Sequence, residues 1–485
     1  MLLQDRLNYR PDIDGLRAIC VIAVILFHFN LGASGGYIGV DAFFVISGFL
    51  ITKLIHTDLL DNTFSIKQFW QRRIRRIWPA VTFMVIMTLV IGFFLMFPKE
   101  YERLASDASN QLLLISNIKF ADTVGYFNMN AEFRPLLHTW SLAVEEQFYI
   151  FLPVIMLIVW KINAKLLQPI IFLLFIFSFV YSIFKVQQDP TDAFYLIQSR
   201  AWELLIGSLF AVTNIRIIKN IIAINCVSLF GLALLIVPIF AYNEFTIFPG
   251  QMAIPPCLGT ILLIYSGESK QGLIYKILSI NILRTIGLMS YSLYLWHWPI
   301  LSFMRSCYSS RLNTLDLSIA FLLTIAFSFL SWKFIENLFR KKWELYSLKK
   351  ILFVCGLIAA AILATCIIIK NTDGLPQRFT NIESNYANSN RVASIKWQYK
   401  LHDEEQSLVK QMGVKHKEGP PDFLLWGDSH AMVISAKLEE IATQSGLSGY
   451  AALRNGTLPL LNVATHKDKA DRLQWNKDII TWIES

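Results

Sequence analysis

The sequence predicts an α-helical polytopic membrane protein of about eleven crossing helices, followed by a truncated extracytoplasmic α/β module. Three observations carry this. Of the 485 residues 54% are hydrophobic and only 16% charged, where soluble domains run nearer about 25% charged. Apolar runs of membrane-crossing length recur along the first 370 positions. At Asn371 the composition turns polar, and from Pro421 a strand and helix pattern of soluble type begins.

In chain order, the apolar runs fall at 17–33, 37–55, 78–97, 147–160, 167–185, 202–215, 220–241, 252–266, 286–304, 315–333 and 350–369. About 17–25 residues cross the ~30 Å hydrocarbon core, so the fourth and sixth runs are short for the task. Lysine and arginine placement sets orientation. With a cytoplasmic N-terminus, Arg6, Arg10, Arg17, Lys67 and the arginines at 72, 73, 75 and 76 gather inside, while 31–36 and 242–251 carry neither residue type. An odd number of spans leaves everything after Lys370 outside. The net charge of +9 is thus read as sidedness, with no nucleic-acid partner implied. Six cysteines without a CxxC or Cys/His cluster indicate neither a disulfide framework nor a zinc site, and no metal is expected. No signal-peptide cleavage site precedes Asp14, so the first run is read as a retained span.

Residues 371–420 read as a linker with some local structure. Beyond it, "DFLLWGDSH" is a short strand ending in a turn, "AMVISAKLEEIATQSG" an amphipathic helix closed by Gly446, and "LSGYAAL" a second strand. Strand, helix, strand implies a parallel unit.

Arg17 and His28 are eleven residues apart, close to three helical turns, so they share a face at ~16 Å separation. Arg17 alone could be a positive-inside anchor, and His28 could simply hydrogen-bond a neighbouring helix. Ionisable groups at bilayer depth are costly and usually face a cavity or a partner, which favours a functional role. Asp41, in "GGYIGVDAFFVISGFLIT", is a carboxylate that lipid would not tolerate, and it is expected to face the same interior as His28; the glycines around it permit close helix approach. In "FWQRRIRRIWPA", Arg72, Arg73, Arg75 and Arg76 precede a span. They suit topology anchoring or bidentate binding of phosphate groups.

In "RPLLHTWSLAVEEQFYIFLP", His138 and Glu145 are two turns apart, and Trp140 adds aromatic surface. Placed at the outer interface, they could receive a hydroxyl-rich ligand, although aromatic belts are ordinary there. His297, between two tryptophans and ahead of Pro299, is either a satisfied histidine at a kink or a ligand contact. In "LLWGDSHA", Ser429 stands at a strand-to-helix turn, where backbone N–H groups can hold an oxyanion.

Together the Arg-x10-His motif of Arg17 and His28, "GVDAFFVISGFLI", the arginines of 72–76, "HTWSLAVEEQFY" and "SYSLYLWHWP" resemble the acyltransferase-3 family of membrane O-acyltransferases, in the form carrying an SGNH hydrolase-like module. The resemblance implies a ten-helix acyltransferase domain over 1–340, a linking helix over 341–370, a periplasmic linker over 371–420 and a partial SGNH-like module over 421–485. It implies a multi-pass protein of the bacterial inner membrane. An acetyl group would pass from cytoplasmic acetyl-CoA to a hydroxyl of a surface polysaccharide or its lipid-linked precursor, lipopolysaccharide O-antigen as the first expectation and peptidoglycan as the alternative.

By the same resemblance Arg17 and the arginines at 72, 73, 75 and 76 hold the donor, and Arg17 is also a candidate catalytic group beside His28. His28 acts as general base or accepts the acetyl group itself; both routes stay open. Asp41, His138, Trp140, Glu145 and His297 are expected at the acceptor, with Glu145 also a candidate catalytic group. Ser429 matches the SGNH nucleophile, but no Asp-x-x-His follows it before Ser485, and a nucleophile without a placed base is a poor catalyst. The outer module is therefore expected to be incomplete, with unpaired strand edges. A transporter would bury similar groups; it should carry an internal repeat, and the two halves show no self-similarity. A binding scaffold is the third reading.

Overall fold

The computed structural model describes residues 9–123, 131–307, 312–342, 346–379, 409–414, 419–454, 459 and 469–484. The chain divides into two compact units, 1–374 and 375–485.

Each of the eleven apolar runs lies on a helix. The first unit contains α1 (Pro11–His28), α2 (Gly39–Leu60), α3 (Ile66–Leu95), α4 (Pro98–Leu112), α5 (Ser116–Thr123), α6 (Thr139–Asn163), α7 (Leu167–Gln188), α8 (Pro190–Tyr195) and α9 (Ile197–Val212). It continues with α10 (Ile221–Ala241), α11 (Ile254–Gly267), α12 (Leu273–Leu278), α13 (Asn281–Cys307), α14 (Thr314–Leu330), α15 (Asn337–Lys342) and α16 (Leu348–Asn371). A π-helical stretch, Ser331–Glu336, joins α14 to α15.

Among the described residues six segments are long and apolar enough to cross a membrane: Gly36–Leu60, Ile66–Leu95, Thr139–Gln188, Ile221–Ala241, Thr314–Phe339 and Leu348–Asn371. The third is two helices. Asn163 breaks it with an extended backbone (φ −163°, ψ 112°), and the far ends meet where the Trp140 ring lies 4.8 Å from Phe194, just beyond α7. The other four long helices, α1, α9, α11 and α13, are shorter or more polar because they pack inside the bundle, where charged groups meet each other. Outward faces are apolar: Phe94, Phe177, Phe230 and Phe353 are 71%, 74%, 59% and 72% exposed. A water-soluble surface would not gather such side chains, whereas lipid solvates them.

Two helices begin well ahead of the apolar runs that mark them. Ser65 caps α3, accepting from the Gln68 N–H, so the helix begins at Ile66 and the arginines at 72–76 lie within it, not ahead of it. Likewise α6 starts at Thr139, which places Glu145 nearly two turns inside a helix. Hydropathy marks where a helix meets the apolar layer; the hydrogen-bond ladder continues past that edge.

Close approach of the inner helices rests on glycine. At Gly287 of α13 a Cβ would collide with the Asp14 carbonyl oxygen of α1, and at Gly48 of α2 with the Leu204 carbonyl oxygen of α9. Beside Gly48 the Thr52 hydroxyl donates to Ser208 Oγ at 2.8 Å, the small-residue packing typical of helices in lipid.

In the second unit, β1 (Lys410–Gly413), β2 (Phe423–Gly427) and β3 (Ser448–Leu453) form a sheet in the order β1-β3-β2. The expected β2-helix-β3 unit is present: α17 (Ser429–Gln444) connects two parallel strands that pair Phe423 with Gly449 and Gly427 with Leu453. Gly446, at φ +67°, ends the helix in a conformation glycine adopts without strain. The antiparallel strand β1 was not foreseen; it falls in the stretch read as linker. Met412, Ala451 and Leu453 form the core, with Phe423, Leu425 and Leu438 against them. A last helix, α18, spans Lys469–Glu484.

Candidate active site

The first unit encloses a cavity of about 820 Å³ among α1, α2, α3, α6 and α13. Arg17 and the arginines at 72, 73, 75 and 76 all line it, together with Lys53, Glu145, Glu146 and Glu336. The helical spacing of the cluster turns most of its members to one side of α3. Arg72 is anchored by Asp58, 3.2 Å away. Arg73 is buried, with its guanidinium carbon 5.9 Å from the Phe69 ring centre and 6.0 Å from that of Tyr149. Arg17 lies 3.5 Å from Asp14, whose other oxygen accepts from the Tyr9 hydroxyl at 2.9 Å. Partial burial, reinforced by Asp14, pushes the Tyr9 hydroxyl up to about 12, so it remains a donor at neutral pH. Wall chemistry of this kind, with several planar guanidinium groups around an apolar interior, suits a phosphorylated ligand with an uncharged arm.

Glu145 belongs to this cavity, not to a separate outer face. Its carboxylate accepts from Ser47 Oγ at 2.7 Å and shares the wall with Arg17, Arg73 and Arg76.

The cavity reaches Ser141 and Tyr294, whose hydroxyls are 2.6 Å apart. Tyr294 Oη also donates to the His138 carbonyl at 3.1 Å. Immediately beyond are three histidines. The His297 ring is 5.7 Å from that of His138, and its Nε2 is 3.1 Å from His28 Nδ1. His297 and His138 are buried, while His28, the last residue of α1, is half-buried. The Trp298 ring meets the His28 ring edge-on at 4.7 Å, and Arg305 Nη2 donates to the His28 carbonyl at 2.9 Å. Trp298 is itself held, its indole N–H donating to the Arg134 carbonyl at 2.8 Å; the Arg134 guanidinium pairs with Asp107.

So α1 carries Arg17 on the cavity wall and His28 at its far end. His138 and His297 join His28, as two of the residues expected near the acceptor. Asp41 and Trp140 do not. Asp41 is fully buried, 3.1 Å from Arg200 Nη1, which also lies 2.9 Å from Glu203. The Trp140 ring packs 5.5 Å from the Arg200 guanidinium. Neither lines the cavity; a charge triad under an aromatic cover is a structural arrangement, and it replaces the shared interior expected for Asp41 and His28. Nothing local in the chain points to Arg200, whose partner Asp41 is remote in sequence, nor to Glu336, which accepts from Ser292 Oγ at 3.2 Å. Ser429 opens α17 directly after β2; its side chain lies outside the described residues.

No cluster of three or more His, Cys, Asp or Glu side chains suited to a metal occurs among the described residues.

Comparison with known proteins adds the following. The model of the acyltransferase domain (Acyl_transf_3) matches residues 10–333, and that of the SGNH domain fused to such domains matches 399–485. The chain is similar to a peptidoglycan O-acetyltransferase, OatA, of Listeria monocytogenes, at 34% identity over 357 residues covering 69% of this chain and 56% of that protein. It is similar to the O-acetyltransferase OatA of Staphylococcus aureus strain NCTC 8325, at 34% over 354 residues, 69% and 58%. A putative O-acetyltransferase of S. aureus strain MSSA476 matches at 35% over 361 residues, 70% and 58%. The chain thus spans little more than half the length of these relatives. No solved structure matches.

Proposed function

The chain belongs to the acyltransferase-3 family, with an SGNH domain fused to it, and from that premise we propose that it is a membrane O-acetyltransferase acting on peptidoglycan. The name of the Listeria monocytogenes relative favours peptidoglycan over the lipopolysaccharide O-antigen expected first. Acetyl-CoA is the donor, bound from the cytoplasmic face of the bacterial inner membrane; the acceptor hydroxyl arrives from the opposite face. The second unit then lies outside the membrane.

One observation carries this reading. A cavity walled by Arg17 and the arginines at 72, 73, 75 and 76 reaches Ser141 and Tyr294, and Tyr294 is bonded to His138 and His297, two members of the histidine group that contains His28. The donor chemistry fits the residues present: guanidinium groups suit nucleotide phosphates, and Arg17 to His28 on one helix is ~16 Å, the order of length of an extended pantetheine arm. The donor supplies an activated acetyl thioester. Arg17 and the cluster on α3 hold its phosphates, Arg73 without freedom to swing because Phe69 and Tyr149 flank it. His28 takes the proton of the acceptor hydroxyl or receives the acetyl group. Trp298 and Arg305 fix His28 in place for either step.

The test is muropeptide analysis of a peptidoglycan O-acetylation-deficient strain carrying this chain. O-acetylated muropeptides are the expected result. Their absence, together with proton- or solute-coupled transport by the purified protein, would turn the reading to a transporter.

A further inference from the structure

The geometry points to His297 as the positioning residue that fixes the tautomer of His28, leaving His28 Nε2 as the nitrogen that does the chemistry. This rests on the reading of His28 as the central group of acetyl transfer, and it assigns to His297 a role other than contact with the acceptor.

The chain of inference starts at a carbonyl. His297 Nδ1 is 2.7 Å from the Tyr294 backbone oxygen, and a backbone carbonyl can only accept. Nδ1 of His297 therefore carries a hydrogen. A neutral imidazole has one N–H, so His297 Nε2 holds a lone pair and accepts. Its neighbour at 3.1 Å is His28 Nδ1, which must then be the donor. His28 is thereby held as the Nδ1–H tautomer, and the lone pair falls on its Nε2.

The carbonyl that begins this relay is itself fixed. Tyr294 is in the middle of α13, and its hydroxyl is tied to Ser141 at 2.6 Å and to the His138 carbonyl at 3.1 Å. His297 is three residues further along the same helix and fully buried. Trp298 and Arg305, also on α13, hold the His28 ring edge-on and its backbone carbonyl. One helix thus supplies the proton acceptor, the ring wall and the backbone clamp for a histidine that ends another.

Both routes left open by the sequence need this tautomer. In direct transfer, Nε2 takes the hydroxyl proton while the acceptor oxygen bonds to the thioester carbonyl carbon. The carbon–sulfur bond then breaks, and the thiolate leaves with the proton returned from Nε2. In the two-step route Nε2 itself bonds to the carbonyl carbon, the carbon–sulfur bond breaks, and the thiolate takes a proton from solvent. The acceptor hydroxyl then displaces the imidazole and releases a proton. In each case positive charge develops on the His28 ring, and its Nδ1–H donates to neutral His297, as a carboxylate would serve a histidine in a triad.

The test uses the full-length protein in detergent with [15N]histidine, the His28 signals identified by their loss in His28→Gln. The parent should show His28 as the Nδ1–H tautomer. His297→Leu should give a tautomer mixture and a kcat for acetyl-CoA-dependent transfer lower by at least about tenfold, with the KM for acetyl-CoA within about twofold, because the donor cavity is untouched. His297→Gln, whose Oε1 can accept where Nε2 did, should restore the Nδ1–H tautomer and most of kcat. An Nε2–H tautomer in the parent, or His297→Leu with parental kcat while His28→Ala is inactive, overturns the assignment and leaves the proposed function standing. Full activity in His28→Ala overturns the proposed function, and the nitrogen signals still decide the tautomer.

Discussion

Replacement of Arg200 by methionine should unfold the membrane unit, and the structure says by how much and why its two partners behave differently. Arg200, Asp41 and Glu203 are 1%, 0% and 0% exposed. One guanidinium nitrogen lies 3.1 Å from Asp41 and 2.9 Å from Glu203. Phe44, Trp140, Phe194 and Phe248 surround the cation at 5.5–5.6 Å. Removing the arginine leaves two carboxylates buried with no counter-charge, a change that costs about 3–5 kcal/mol when a buried pair is broken. Loss of the aromatic contacts adds about 0.5–2 kcal/mol. Asp41→Asn is different in kind: it leaves a neutral Arg200–Glu203 pair and a side chain of the same shape, for which about 1–1.5 kcal/mol is expected. Arg200→Lys should fall between, since an ammonium keeps the counter-charge but lacks the planar guanidinium packed among the four rings.

The assay is unfolding of the purified full-length chain by a denaturing detergent titrated into a mild one, with the thermal midpoint as a second readout. Once folded at low temperature, Asp41→Asn should bind acetyl-CoA as the parent does. The reasoning is refuted if Arg200→Met and Asp41→Asn are equally stable, or if Asp41→Asn folds normally and loses donor or acceptor binding.

Other perturbations give equally definite outcomes. Arg76→Gln should raise the KM for acetyl-CoA about tenfold or more by removing one charged phosphate contact of about 1.5–3 kcal/mol, with a smaller change in kcat; steady-state kinetics in proteoliposomes checks this. Gly48→Val should lower the thermal midpoint sharply, because even its Cβ would collide with the Leu204 carbonyl; Gly356→Ala, at a position with open space around it, is the control and should be neutral. Tyr294→Phe removes the bond to Ser141 and the one to the His138 carbonyl while leaving its own carbonyl on His297. It should cost about 1–3 kcal/mol of stability with the Nδ1–H tautomer of His28 retained, read by calorimetry and by nitrogen NMR.

Much of the helical scaffold was legible because a bilayer imposes a length on apolar runs, and each of the eleven runs proved to lie on a helix. The pairing of Arg17 with His28 on α1 followed from spacing alone, and the arginines at 72–76 stood out by density. What spacing could not show is which charges meet across helices. Asp41 and Arg200 are far apart in the chain, and nothing local tells that one neutralises the other, so Asp41 looked like a ligand contact. Trp140 looked like a sugar platform for the same reason, and instead covers Arg200. The arginine cluster precedes its apolar run and Glu145 stands at the edge of its own, because hydropathy falls where charge begins, although the backbone ladder runs from Ile66 and Thr139 through both. His297 was noticed as a histidine in an apolar helix, yet its contact with His28 exists only because Gly287 lets α13 lie tightly on α1.

Transfer of labelled acetyl from acetyl-CoA to peptidoglycan, by membranes containing the parent chain or His28→Ala at equal protein levels, tests the central claim most directly. The parent should label the glycan, and His28→Ala should fall by a factor of about 10² or more while still binding acetyl-CoA. Undiminished labelling by His28→Ala would contradict the account.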